Sequence, residues 1–434
     1  MRSVWAILLL KLSDQDVEPF STEEAELRFT RSGKGTNNLV DYYMDMSHGR
    51  LDLSNNKVFG WLSSTHSQAE RAELYAIYQK EDSENQTNIA NNRIRSDEIS
   101  WGLEAASSLG IDVSEFDGVV IIYSGLFDYF AQIGRVVLQF NAGDPTMFSI
   151  DLTGVAHELG HGLGLGHSRT EGKSDEYGDP WDIMSAYNVR TVANGVRYDR
   201  FGPGLNAANM AIAKWLDERR VWQPPADGEH IVTLRPLHRR DLDGYLVALI
   251  EDIYVEFRMN EGWDLGIEEP MVLLHRKGVR PNTLEPCSYL LENYNGNNQR
   301  ESWLKSGDTY GDVGGRFSRK PMIEVLRIDP ETREATLLLR SGYRKSPLDG
   351  LEFVASFFGS IRGDGGFLWH PRKGPVPIPP RSPMLQIMDK IASIEALKTV
   401  GLEPAVEQPA MRQILVEMQS EIASMIASLD APRV

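Results

Sequence analysis

The stretch T-G-V-A-H-E-L-G-H-G-L-G-L-G-H, residues 153–167, followed by D-I-M-S-A-Y at 182–187, decides how this chain is read. A helix places residues four apart on one face, so His157 and His161 can offer imidazole nitrogens to one metal ion. Glu158 projects beside them. Gly164 stands where that helix must stop, because glycine accepts the left-handed conformation of a helix end, and the turn brings His167 back as a third ligand. Three protein ligands leave a fourth tetrahedral position open. An open site of this kind is the pattern of catalytic zinc, whereas structural zinc is closed by a fourth side chain, usually cysteine.

The full pattern H-E-x-x-H-x-x-G-x-x-H with a following methionine resembles the signature of the metzincin metalloproteases. The resemblance implies zinc on His157, His161 and His167, Glu158 as general base, Gly164 as the turn glycine, and Met184 as the methionine beneath the metal. It also implies a polypeptide substrate. Three further stretches resemble gametolysin-like and immune inhibitor A-like peptidases: V-D-Y-Y-M-D-M-S-H-G-R-L-D-L at 40–53, Tyr177-Gly178-Asp179, and Y-V-E-F-R-M-N-E-G-W-D-L-G-I at 254–267 with M-V-L-L-H-R at 271–276. Tyr187 stands three residues after Met184, whereas the zinc-reaching tyrosine of astacin-like and serralysin-like enzymes stands two after. Tyr187 is thus either an oxyanion donor or extra ligand out of register, or a tyrosine whose hydroxyl finds an ordinary partner.

The 434 residues are 41% hydrophobic and 25% charged, enough for two or three cores. A net charge of −17 argues against nucleic acid or an anionic membrane as partner, since both demand a basic face. One cysteine, Cys287, excludes an intramolecular disulfide and reads as a buried thiol. No run reaches the ~18 apolar residues of a membrane span. Val4–Leu12 reads as a buried first strand, because no small-x-small site follows it and acidic residues come next. Without a convincing signal peptide, the expected location is the cytoplasm, or outside the cell by a non-classical route.

The predicted fold class is α+β. By resemblance, residues 1–225 form a metzincin (zincin-like) catalytic domain, with a mixed sheet and an active-site helix. Within it the pattern predicts a helix at Leu39–Met46, a strand at Arg50–Leu62, helix over 67–108 with a polar break near 82–92, and strands at Phe116–Tyr123 and Val136–Phe140. In metzincins an edge strand pairs with extended substrate, and Val136–Phe140 holds that place in chain order; the alternative is a plain interior strand. Asp175, Glu176, Asp179 and Asp182 lack EF-hand spacing and read as solvated loop carboxylates, with no calcium assigned. Asn206–Trp215 reads as a helix.

Residues 226–343 alternate short apolar runs with turns, as a β-sandwich does, and His275 reads as structural. Residues 344–383 are a Gly/Pro-rich connector. Residues 384–434 carry two amphipathic helical patterns, read as a hairpin packed on the body or as a seam for self-association. The resulting function is a zinc endopeptidase in which Glu158 serves as base and then acid. The alternative is a zinc-bearing binding or interaction module without proteolysis, which has no need of Glu158.

Overall fold

The computed structural model describes residues 2–33, 38–85, 89–125, 129–139, 151–193, 200–226, 228–281, 283–294, 300–311, 322–341, 367–370 and 374–377. The chain divides into two compact units, Met1–Gly342 and Tyr343–Val434. Its class is mixed α and β, consistent with α+β.

The first unit opens with β1 (Trp5–Lys11), α1 (Thr22–Phe29), α2 (Leu39–Met46), β2 (Lys57–Ser63), α3 (Gln68–Asn85), α4 (Ile89–Ser108), β3 (Gly118–Tyr123), β4 (Phe130–Gln132) and β5 (Arg135–Gln139). The strands form one sheet in the order β2-β1-β3-β5-β4, parallel except for β4. Because side chains alternate along a strand, a parallel sheet covered on both faces needs unbroken apolar runs. In β1, Trp5, Ile7 and Leu9 join a core with α1, α2 and the helix that carries the histidines. Ala6, Leu8 and Leu10 pack with Trp101 and Ala105 of α4 on the opposite face. Truncating Trp5 to alanine should cost about 3–5 kcal/mol, the usual range for a buried aromatic side chain.

Of the two sequence readings of Val136–Phe140, the structure shows the interior strand. β5 lies inside, between β3 and β4, and the three residues of β4 form the outer, antiparallel strand. Val136, Val137 and Leu138 are fully buried, a pattern that suits an interior strand and, among the described residues, leaves the edge to Phe130–Gln132.

The helix α5 (Leu152–Gly162) follows, capped by Asp151, whose carboxylate accepts from Gly154 N. Beyond it come β6 (Arg169–Thr170), β7 (Val192–Ala193), β8 (Arg200–Phe201), α6 (Ala207–Ile212) and β9 (Val221–Trp222). The chain then becomes all-β: β10 (Gly228–Leu234), β11 (Val247–Ile250), β12 (Ile253–Arg258), β13 (Met271–Val279), β14 (Pro286–Leu290), the small pair β15 (Asn293–Tyr294) and β16 (Arg300–Glu301), then β17 (Thr309–Tyr310), β18 (Met322–Asp329) and β19 (Glu334–Ser341).

Two sheets, β10-β19-β18-β17 and β6-β14-β13-β12-β11-β9, share an apolar core. Along β12, Ile253, Val255 and Phe257 enter that core. Glu256 and Arg258, one residue out of phase, are also fully buried and meet α6 and the turn holding Met184 instead. The six-stranded sheet therefore has no solvent face at β12. It also takes in β6 and β9 from the segment before residue 225, so the sandwich and the N-terminal half are joined by strand pairing.

In the second unit, β20 (Phe367–His370) and β21 (Gly374–Pro377) pair antiparallel within the Gly/Pro-rich connector. The predicted helical hairpin at 384–434 lies outside the described residues. Among the described residues no helix is long and apolar enough to cross a membrane.

Candidate metal centre

Helix α5 presents His157 and His161 one turn apart, and its end is fixed by glycines. Gly164 has φ +93°, and Leu165 N returns to Gly160 O at 2.9 Å, which satisfies a carbonyl that the helix leaves open. The chain is then held from two sides: Gly166 N donates to Pro286 O (3.1 Å) on β14, and Ser168 N to Met184 O (3.1 Å). His167 is delivered between those anchors.

One ligand atom from each of His157, His161 and His167 lies within 4.8 Å of the others. Among the described residues this is the one group of three or more His, Cys, Asp or Glu side chains that converges so closely. Each ring is anchored through Nδ1: His157 to Ile183 O (2.8 Å), His161 to Leu165 O (2.7 Å) and His167 to a Glu176 carboxylate oxygen (2.9 Å). Carbonyl and carboxylate oxygens only accept, so in each neutral ring the proton sits on Nδ1 and the Nε2 lone pair is left bare. The Nε2 atoms of His157 and His161 face each other at 3.1 Å. Two bare lone pairs at that distance repel unless a cation shares them, and this arrangement is compatible with metal binding.

Electrostatics keep the rings neutral. Burial, then His161, pushes His157 well below the ordinary imidazole range, and burial with His167 brings His161 down to about 4. Burial also lowers His167, against the opposing pull of Glu176. Neutral imidazole is the form that ligates.

Met184 is fully buried beneath α5. A Cβ on Gly160 would stand 2.5 Å from its sulfur, so glycine is what lets helix and methionine approach. Glu158 lines the same cavity as the three histidines, a space of about 340 Å³. Tyr187 falls in the short 3-10 turn Ile183–Asn188, and its side chain lies outside the described part of the structure. Two other tyrosines, Tyr129 and Tyr177, stand on the cavity wall, and the ring centroid of Tyr177 lies 4.2 Å from that of His167.

The acidic loop is not the solvated segment expected from its composition. Glu176 holds His167 and pairs with Arg169 and Arg280. Asp179 and Asp182 are fully buried; only Asp175 of the four is exposed. Asp182 accepts from Met184 N, Ser168 Oγ and Asn206 N, while Asp179 accepts from Asn206 Nδ2 and meets His275 Nε2 at 2.9 Å. His275 also lies 3.5 Å from Glu256, and it is structural, as its isolation in the sequence suggested. Cys287 is buried in β14.

The roles of Glu176 and Tyr177 were missed by sequence reasoning. Their signal was the E-Y-G-D run ahead of Met184, whose contacts depend on a loop path that spacing does not specify. Comparison with known proteins finds no family model that matches this chain and no curated protein that matches it.

Proposed function

We propose that this chain is a zinc-dependent endopeptidase of the metzincin type. The observation that carries the reading is the pair of Nε2 atoms held 3.1 Å apart with both Nδ1 protons committed elsewhere. Zn–N bonds of ~2.0–2.1 Å in a tetrahedron put neighbouring donors ~3.3 Å apart, so His157 and His161 fit zinc, and His167 completes the open three-ligand set. Support also comes from the parallel sheet with an antiparallel edge, the Gly164 turn and Met184 under the helix, all of which suit a metzincin.

Zinc held there would supply Lewis acidity, polarising the substrate carbonyl and lowering the pKa of a water toward ~7. Glu158, in the same cavity, takes the proton as that water attacks the peptide carbonyl and then passes it to the leaving amine. One carboxylate serves twice because the two transfers are sequential. The free edge of β4 offers backbone groups to an extended peptide above the histidines, and Phe130 and Ala131 line the cavity there.

The test is a diverse peptide library incubated with zinc-loaded protein, with Glu158→Gln beside it and the cuts read by mass spectrometry. Losing general-base catalysis typically costs ~10²–10⁴ in rate, so cutting should fall by that much at unchanged zinc content. Equal cutting by both proteins, or none by the wild type, overturns the reading; the second result leaves a zinc-bearing binding module.

A further inference from the structure

Three arginines from three separate elements meet on the wall of the histidine cavity: Arg95 of α4, Arg200 of β8 and Arg280 of the β13–β14 turn. Among the described residues no lysine lines it and Glu158 and Glu285 are the acidic ones, whereas the chain as a whole carries 62 acidic against 45 basic residues, so the local balance runs against the composition.

Their partners decide which of them a substrate would meet. Arg280 pairs with Glu176 at 3.0 Å and with Glu285 at 3.3 Å, and Glu285 itself faces the cavity. Its charge is offset twice. Arg200 gives Nε and Nη2 to one oxygen of Asp151, both at 2.8 Å. Asp151 is 2% exposed and its other oxygen caps α5, so the carboxylate is turned into the protein while the arginine side chain stays 42% exposed. A guanidinium has five N–H donors in a fork, and the Asp151 contacts leave Nη1 for a second carboxylate. Arg95 lies over the Phe130 ring, 4.9 Å from its centroid, beside the open strand edge.

The surroundings of Arg200 shape a subsite. Thr153 and Gly154 come from the first turn of α5, and Val189 and Thr191 from the segment leading into β7, which pairs with β8. The side chains of these walls are short, and the Tyr129 ring stands 3.5 Å from the Cβ position of Gly154. An acidic side chain that enters there reaches a guanidinium.

Resting on the peptidase reading, we infer that the cleft selects polypeptides bearing an aspartate or glutamate beside the cleaved bond, bound by Arg200. Lysine in the same position would meet a like charge and be rejected.

The experiment uses matched fluorescent decapeptides that carry a single Asp, Asn or Lys next to a site cut in the library. Each is measured twice: for cutting by the zinc-loaded wild type, and for binding to zinc-loaded Glu158→Gln by anisotropy. The Asp peptide should be cut and bound about 10- to 100-fold better than the Asn peptide, with Lys weaker still. Arg200→Gln should bring Asp and Asn within about twofold, whereas Arg200→Lys, which keeps a charge against Asp151, should retain a reduced preference. Cutting without charge preference in the wild type overturns the acidic subsite and leaves the peptidase. If no library peptide is cut, the pairs are taken to binding alone: Asp-selective binding to Glu158→Gln then removes the peptidase and keeps the subsite, and equal binding removes both.

Discussion

The Nδ1 atom of His157 donates to the carbonyl oxygen of Ile183 across 2.8 Å, which ties the helix bearing His157 and His161 to the residue before Met184. The contact fixes the tautomer of His157 and sets the turn directly beneath the helix. Ile183 is in turn positioned by Asp182, which caps its 3-10 turn through Met184 N. The ring geometry of His157 is thus set by a backbone carbonyl and a buried carboxylate, both outside the three-histidine cluster.

Glu176 gives the same service to His167, and here the partner can be changed without touching a ligand. Glu176→Gln keeps an acceptor for Nδ1 but removes the charge that makes the imidazole a better donor. Partners of this kind typically contribute 10–100-fold in metal affinity. Wild-type protein should hold about one zinc per chain, His157→Ala should hold none, and Glu176→Gln should release zinc to a competing chelator at a concentration ~10-fold lower or more. Elemental analysis and chelator titration measure both. Equal retention by Glu176→Gln and wild type would show that the 2.9 Å contact does not tune the site.

Much of this centre was legible because its parts are local. The histidines, Glu158 and Gly164 lie within eleven residues, and helical periodicity alone brings two of the histidines together. Helix α2 occupies the predicted residues Leu39–Met46 for a similar reason, since the Asn38 side chain accepts from Asp41 N and marks the start. What stayed hidden depends on long-range choices. His275 finds Asp179 across 96 positions of sequence, and no spacing rule reaches that far. The edge strand itself went unread because β4 has three residues, too few to show a period, which left β5 open between an edge and an interior place. The loop carboxylates looked solvated because composition cannot tell an exposed aspartate from one whose every oxygen is bonded inside.

That buried cluster also predicts where the chain can be cut. Met1–Gly342 is a compact unit, and bonds from Asp179 to His275, from Asn206 to Ser288 and from Arg258 to Trp181 O cross between the N-terminal half and the sandwich. Truncation after residue 379 should leave zinc content and peptide cutting unchanged. Truncation after residue 225 should yield insoluble or unfolded protein, because the buried Asp179 would lose His275 and the Trp181 carbonyl would lose Arg258, and breaking a buried pair typically costs about 3–5 kcal/mol. Soluble expression, circular dichroism and zinc analysis of the two proteins decide it. A folded, zinc-binding 1–225 fragment would show that the sandwich is dispensable.

The pH dependence of stability should bear the mark of His275. Burial alone would lower its pKa, but the carboxylates of Glu256 and Asp179 overcome this and raise it to about 10, against an ordinary value of 6.5. A histidine whose folded-state pKa lies above its unfolded value stabilises fully below about pH 6.5, and that contribution is lost as pH rises through 10. The loss should be on the order of a few kcal/mol at most, since the burial of three ionised groups opposes the gain. On the acid side Asp179 and Glu256 contribute in the opposite sense. Burial raises each, yet His275 holds both below the usual carboxylate range, so their share is present above pH ~4 and is lost on further acidification. Urea melts at pH 7, 8.5 and 10 should therefore show a falling midpoint in the wild type. His275→Gln can still donate to Asp179 but carries no charge, so it should be less stable at pH 7 and show a flatter decline toward pH 10. Parallel declines in the two proteins would mean that the imidazolium is not what joins the Met184 turn to the sheet.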